Sequence, residues 1–125
     1  MERSIVSVIS DRPSDHQLLA DSLSAADATD FELQDDIGYD LATEELKRTD
    51  VDVFILAEAP NTEYLLRFAG RNEITAPIVL LLNEPGVSAT TRWRSLGAQD
   101  CVPRSDLSPS LVRRLLDYNV EIGRA

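Results

Sequence analysis

Patterns typical of strands and of helices alternate along the whole chain, and this alternation constrains the fold more than any other feature. Five short segments are typical of β-strands, and each is followed by apolar residues at helical spacing. The predicted strands are residues 5–9, 31–33, 51–57, 77–82 and 99–102. Successive βα units favour a parallel sheet with right-handed crossovers and helices on both faces. The sequence therefore predicts a doubly wound α/β domain.

Residues that favour helix ends support the same division. Pro13 suits the first helical turn, where its missing N–H is not needed, and Pro109 suits the last helix in the same way, with Ser108 as its cap. Asp40 is predicted to cap the second helix, whose inward positions would be Leu41, the aliphatic part of Glu45, and Leu46. The third and fourth helices are predicted over residues 62–69 and 88–96, and Gly97 is expected to end the fourth.

Composition indicates one soluble globular domain spanning residues 1–125. Hydrophobic residues make up 43% of the chain and charged residues 27%, with a formal net charge of −10. Such a negative field repels phosphate backbones, so we expect no nucleic-acid partner. No apolar run approaches the roughly 18 residues that a membrane span needs, and residues 1–4 contain no signal core. We therefore expect a cytoplasmic protein with no membrane contact.

The chain contains one cysteine and one histidine, so few side chains are available for redox or metal chemistry. Cys101 has no second cysteine to pair with, and its neighbours Val102 and Pro103 predict a small buried hydrophobe rather than a nucleophile. His16 lies early in the first predicted helix, where a solvated surface position is the default. We expect neither residue to act in catalysis.

Ligands of open parallel sheets bind at the carboxyl ends of the strands. No glycine-rich phosphate or dinucleotide loop follows any predicted strand, so we expect no nucleotide cofactor. Asp11 and Glu58 form a candidate pair for a hard cation, but two solvated carboxylates are the more common arrangement, and we expect no metal there. The residues at these ends are Ser10, Asp11, Ala57, Glu58, Leu82, Asn83 and Arg104.

The order of elements and several local strings resemble the receiver domain of bacterial two-component response regulators. The resemblance covers essentially the whole chain, and its most specific string is the glycine-alanine entry to the fifth strand at residues 97–104. The other matching stretches are residues 4–23, 51–56, 77–82 and 105–109. The resemblance implies a flavodoxin-like five-stranded sheet with strand order 2-1-3-4-5.

Receivers accept a phosphoryl group on an aspartate at the end of the third strand, with an acidic pair for Mg²⁺, a hydroxyl and a lysine. The metal and the lysine neutralise the charge of the phosphoryl group during its transfer. By resemblance the acceptor falls on Ala57, or on Leu56 in the alternative register, and the hydroxyl on Leu82. The acidic pair falls on Ser10 and Asp11, and the lysine on Arg104. The acceptor, one acid and the hydroxyl are all absent.

These losses favour a receiver-like signalling module that takes no phosphate, is not an enzyme, and acts by protein–protein contact. We expect Arg104 to pair with Asp11 or Glu58, which would turn the pocket into a structural ion pair. Within such a module, the Glu58 carboxylate could mimic a permanently phosphorylated state. One alternative is a true phosphoaccepting receiver that uses an unorthodox acid such as Glu58. Another is a flavodoxin-like domain that binds a small ligand in the strand-end cleft.

A module without catalysis needs a contact surface. The family resemblance implies a homodimer through the fourth helix, fifth strand and fifth helix, and a protein partner or a fused output domain after the last helix. Trp93 and Arg94 are interface candidates, since both residue types are enriched at interface centres. It is equally consistent with the sequence that Trp93 covers the core beneath its own helix.

Overall fold

The computed structural model describes residues 3–124, which form one five-stranded parallel sheet. The strand order is β2-β1-β3-β4-β5, as the resemblance implied. The strands are β1 Ser4–Ile9, β2 Phe31–Leu33, β3 Val53–Ala57, β4 Ile78–Leu82 and β5 Asp100–Pro103. The helices are α1 Pro13–Ala25, α2 Ala42–Leu46, α3 Thr62–Arg71, α4 Val87–Ser95 and α5 Pro109–Arg124, with short 3₁₀ helices at Tyr39–Leu41 and Arg104–Asp106. The predicted doubly wound fold is confirmed.

Alternate residues of the central strands pack on opposite faces of the sheet. One core lies beneath α1 and α5 and contains Val8, Ile55 and Leu81. The other lies beneath α2, α3 and α4 and contains Ile9, Leu56 and Leu80. Both faces are covered, which explains why β3 and β4 read as continuous apolar runs.

The predicted helix ends are largely confirmed. Pro13 and Pro109 are the first residues of α1 and α5, and the Ser108 hydroxyl accepts a hydrogen bond of 3.2 Å from the Leu111 N–H. Gly97 follows α4 with φ +116°, a left-handed conformation that glycine adopts without steric cost. No described helix is long and apolar enough to cross a membrane.

The start of α2 differs from the prediction. Asp40 lies inside the 3₁₀ helix rather than at a helix cap, and Leu41 is 48% exposed instead of inward-facing. The buried residues of α2 are Ala42, Glu45 and Leu46, which are spaced as one helical face. Because α2 begins after the 3₁₀ turn, Leu41 falls outside that stripe and faces solvent.

Candidate functional site

The carboxyl ends of the strands surround an open cleft with a volume of about 400 Å³. Its lining is mostly polar and comes from the segments that follow each of the five strands. The lining residues are Asp11, Arg12, Tyr39, Glu58, Ala59, Pro60, Asn83 and Arg104. The structure therefore brings together Asp11, Glu58, Asn83 and Arg104, as predicted, whereas Ser10, Ala57 and Leu82 are buried below the cleft.

Arg104 makes a bidentate ion pair with Asp15, in the first turn of α1. Arg104 Nε lies 2.6 Å from Asp15 Oδ1, and Nη2 lies 3.0 Å from Oδ2. The Asp15 side chain is 2% exposed and the Arg104 side chain 16%. The remaining nitrogen, Nη1, donates to the side-chain oxygen of Asn83. The prediction that Arg104 pairs with Asp11 or Glu58 was wrong. The planar guanidinium instead makes its two parallel hydrogen bonds to the buried Asp15 carboxylate.

Ser10 holds the same carboxylate from the end of β1. Its hydroxyl is buried and donates a 2.7 Å hydrogen bond to Asp15 Oδ2, and it accepts one of 2.9 Å from the Arg12 N–H. Ser10 therefore connects the strand end to the first turn of α1. The position at which the resemblance implies a metal-binding acid now supplies a hydrogen-bond donor to a neighbouring acid.

The charge state of the pair follows from these contacts. Burial alone would raise the pKa of the Asp15 carboxyl, but hydrogen bonds from Arg104 and Ser10 and the nearby positive charges outweigh burial and lower that pKa. Hydrogen bonding to Asp15 raises the pKa of Arg104 in turn. Asp15 is thus a buried carboxylate that stays ionised at neutral pH.

Tyr39 covers the end of β3 and was missed by sequence reasoning. Its hydroxyl donates to the backbone carbonyl of Ala57, and its backbone N–H donates a 3.0 Å hydrogen bond to Asp11 Oδ1. Burial and the negative charge of Asp11 raise the pKa of the Tyr39 hydroxyl to about 12. Tyr39 is therefore a neutral donor that ties the 3₁₀ helix to the sheet.

The two remaining carboxylates of the cleft have backbone partners. Asp11 accepts from Tyr39, and Glu58 Oε1 accepts a 3.0 Å hydrogen bond from the Asn83 N–H. Neither forms an ion pair with another residue that the structure describes. Within residues 3–124, no group of three or more His, Cys, Asp and Glu side chains is arranged to hold a metal ion.

Several solved structures of response regulators and their receiver domains share this fold. The chain superimposes on a response regulator from Hahella chejuensis with a TM-score of 0.78 at 20% identity, covering 98% of each chain. It superimposes on the receiver domain of the putative response regulator NarL from Mycobacterium tuberculosis with a TM-score of 0.75 at 17% identity, covering 95% of this chain and 98% of that one. The beryllofluoride-activated NtrC4 receiver domain dimer superimposes with a TM-score of 0.77 at 15% identity, again covering 95% of this chain and 98% of that one. This chain has the receiver fold.

Sequence comparison adds no assignment. No family model matches the chain, and no curated protein matches it. Because the sequence identities to the solved receivers are low, the structural similarity supports the fold alone. The chemistry of the cleft has to be argued from the residues that this chain contains.

Apolar residues stand at the positions that the resemblance assigns to the phosphate acceptor and to the hydroxyl. Leu56 and Ala57, the two positions for the phosphate acceptor, are both buried core residues. Leu82, at the hydroxyl position, is also buried and packs in the core beneath α2, α3 and α4. The carboxylate nearest to these positions is that of Glu58, which directly follows β3 and lines the cleft.

Residues predicted away from the cleft divide between core and surface. Trp93 is 7% exposed and packs in the core beneath α4, as in the alternative interpretation that it covers the core of its own helix. Arg94 is exposed and pairs with Asp100 at 3.2 Å. Cys101 is half-buried rather than fully buried, and burial raises the pKa of its thiol to about 11. His16 is not simply solvated, because a ring nitrogen lies 2.9 Å from the Gln34 carbonyl oxygen.

Proposed function

We propose that this domain is a receiver-fold signalling module that takes no phosphate and acts through protein–protein contact rather than as an enzyme. The observation that carries the proposal is the buried ion pair between Arg104 and Asp15. The positive charge that a transferred phosphoryl group would need is already neutralised by a carboxylate. The end of β3 offers Leu56 and Ala57, neither of which can form a phosphoester or an acyl phosphate.

Glu58 supports a second candidate function, a receiver that uses an unorthodox acceptor. It lines the cleft and carries a carboxylate at the end of β3. Against this, one of its oxygens already accepts from the Asn83 N–H, and Arg104 is directed to Asp15. We therefore favour the module without phosphate transfer.

Incubation with acetyl phosphate and Mg²⁺, followed by intact-mass measurement, tests the proposal. We expect no added phosphoryl group on the wild-type chain and the same result for Glu58→Gln. A stoichiometric mass gain on wild type that Glu58→Gln abolishes would assign the acceptor to Glu58 and overturn the proposal. A gain that persists in Glu58→Gln would place it on another residue and overturn the proposal equally.

We expect the module to act by contact with a second copy of the chain or with a further domain. One of the similar structures is described as a receiver domain dimer. We propose self-association through α4, β5 and α5 and action in the cytoplasm, consistent with the absence of a membrane-spanning helix among the described residues.

A further inference from the structure

Carboxylates outnumber cations along this chain, and the cations are almost all arginine. The sequence has 22 Asp and Glu residues against 12 Lys and Arg, which gives the formal net charge of −10. Lys47 is its one lysine, so the other basic side chains are guanidinium groups. A guanidinium group binds carboxylates in a fixed, bidentate geometry, whereas an ammonium group is a flexible point charge. The cations of this chain are therefore of the type that suits ion pairs best.

Many of these cations are used in ion pairs within the molecule. Some take two carboxylates each, since Arg48 pairs with Glu45 and Asp50. Among the described residues, the arginines that form ion pairs are Arg48, Arg67, Arg92, Arg94, Arg104 and Arg113. The excess of negative charge therefore lies on other carboxylates.

That excess is exposed and lies on both faces of the sheet. Asp21 and Glu121 carry it on α1 and α5, and Glu44 carries it on α2, which covers the opposite face. Among the described residues, the exposed acids that take part in no ion pair are Asp11, Asp21, Asp27, Asp35, Asp36, Asp40, Glu44, Glu73, Glu84, Asp106 and Glu121. The exposed cations in the same condition are fewer: Arg3, Arg12, Lys47, Arg71 and Arg114. The effect of the excess thus belongs to the whole fold rather than to one binding site.

Folding brings these like charges together. A chain of 125 residues has a radius of gyration of about 14 Å when folded and about 36 Å when unfolded, so repulsion opposes the folded state. Its range depends on salt, because the Debye length is about 10 Å at 0.1 M ionic strength and about 3 Å at 1 M. In dilute buffer, exposed carboxylates therefore repel one another across a whole face of the domain, whereas in molar salt only direct neighbours do.

The interactions that stabilise the fold respond less to salt than this repulsion does. Arg104 Nε lies 2.6 Å from Asp15 Oδ1, and a partly buried pair in direct contact is screened much less than distant exposed charges. Burial of the two apolar cores involves no charge. Added salt thus removes a destabilising interaction and leaves the main stabilising ones in place.

We propose that ionic strength controls the folding equilibrium of this chain, which is self-repelling in dilute buffer and reaches its full stability only in molar salt. The domain is thus suited to work in a salt-rich solvent. The inference requires no particular carboxylate and no partner. It is independent of whether the domain takes phosphate or acts by contact.

Thermal unfolding followed by circular dichroism at pH 7, in KCl from about 0.05 M to about 2 M, tests this. We expect the melting temperature to rise by roughly 10 °C, with most of the rise complete at about 1 M, where the Debye length is already short. NaCl should give the same curve, because screening depends on ionic strength. A melting temperature that stays constant across the range would overturn the proposal.

Three double variants at exposed positions separate charge repulsion from a general effect of salt on folding. Asp36→Asn/Glu84→Gln removes two negative charges. It should melt at a higher temperature in dilute buffer and lose roughly a third of the KCl-induced rise, because repulsion scales with the square of the net charge. Arg71→Gln/Arg114→Gln removes two positive charges and should show the opposite, a lower melting temperature in dilute buffer and a steeper rise. Glu84→Gln/Arg114→Gln keeps the net charge and is the matched control, which should rise like wild type.

The sign of the charge change is therefore the decisive readout. Equal rises in all three variants would show that KCl stabilises the fold by a route other than screening of its net charge, and would overturn the proposal. An Arg71→Gln/Arg114→Gln chain that is unfolded in dilute buffer and folds as KCl is added would be the strongest form of the expected result.

Discussion

Arg104 and Asp15 are separated by 89 residues in the chain and form two hydrogen bonds in the structure. The pair joins the loop after β5 to the first turn of α1, and through Ser10 it also reaches the end of β1. Bidentate geometry fixes both side chains more firmly than a single contact would. The guanidinium at the end of β5 is thus matched by a carboxylate rather than left for an incoming anion.

Removing Arg104 should leave a buried carboxylate without its cation. We expect Arg104→Ala to lower the free energy of unfolding by about 3 kcal/mol, near the lower end for buried pairs because Arg104 itself is partly exposed. Asp15→Asn should cost about 1 kcal/mol, since the freed guanidinium reaches water. Urea melts measure both.

The double variant is the control for this pair. Arg104→Ala/Asp15→Asn should be clearly more stable than the sum of the two single losses implies, because removing the charge on Asp15 removes the penalty created by losing Arg104. Strict additivity would mean that the two side chains contribute independently, and it would contradict the ion pair as the source of the effect.

The lowered pKa of Asp15 predicts a pH dependence of stability. A carboxyl whose pKa is lower in the folded than in the unfolded state contributes stability above its unfolded pKa, which is about 3.9 for aspartate. That contribution is lost as the pH falls through the folded pKa. The stability difference between wild type and Asp15→Asn should therefore be full at pH 7 and shrink below about pH 4.

Urea melts of the two proteins at matched ionic strength between pH 7 and pH 3 check this. Other acids titrate in the same range, but they are common to both proteins and cancel in the difference. A difference that stays constant down to the lowest pH would show that Asp15 has the same pKa in the folded and unfolded states.

The fold was predictable from the sequence because its signals are local. β3 and β4 are covered on both faces, so their sequences are continuous apolar runs. The prolines at the starts of α1 and α5 occupy positions where a backbone N–H is not needed. The partner of Arg104 was not predicted, although a signal existed. Asp15 lies four residues before Leu19 and eight before Leu23, on the buried stripe of α1. A carboxylate on an apolar stripe needs a buried partner.

The start of α2 and the position of Tyr39 were less accessible to sequence reasoning. Whether a 3₁₀ turn precedes an α-helix depends on how residues 34–41 cross the end of β1, where Ile37 pairs with Ile9. That pairing is a tertiary contact, and no local pattern in the segment encodes it. The exposure of Leu41 follows from it.

Mg²⁺ should have little effect on the stability of the folded chain. The resemblance implies a metal between two acids after β1, but Ser10 has replaced one of them and Asp15 is already neutralised by Arg104. Asp11 and Glu58 remain, and a single pair of carboxylates in an open cleft binds a strongly hydrated cation weakly. We expect the melting temperature to be the same with millimolar Mg²⁺ as with matched ionic strength from NaCl. Strong stabilisation by Mg²⁺ that Asp11→Asn abolishes would reveal a surviving metal site.

We expect the chain to self-associate through α4, β5 and α5, and a test of this interface needs substitutions at exposed positions. Trp93 packs in the core, so Trp93→Ala would unfold the helix rather than probe an interface. Suitable probes are Arg94, together with Val87 and Tyr118, which are 85% and 58% exposed on α4 and α5. Exposed apolar side chains on these two helices favour burial against a second copy.

We expect wild type to sediment as a dimer at micromolar concentration, and Tyr118→Ser and Arg94→Glu each to weaken association by roughly tenfold, as loss of one central contact would. Arg71→Glu is the matched control, because it makes the same charge change at an exposed position on α3. Its dimer should be as stable as that of wild type. A wild-type chain that is monomeric throughout this range, or an Arg71→Glu variant that dissociates as readily as Arg94→Glu, would contradict an interface on α4, β5 and α5.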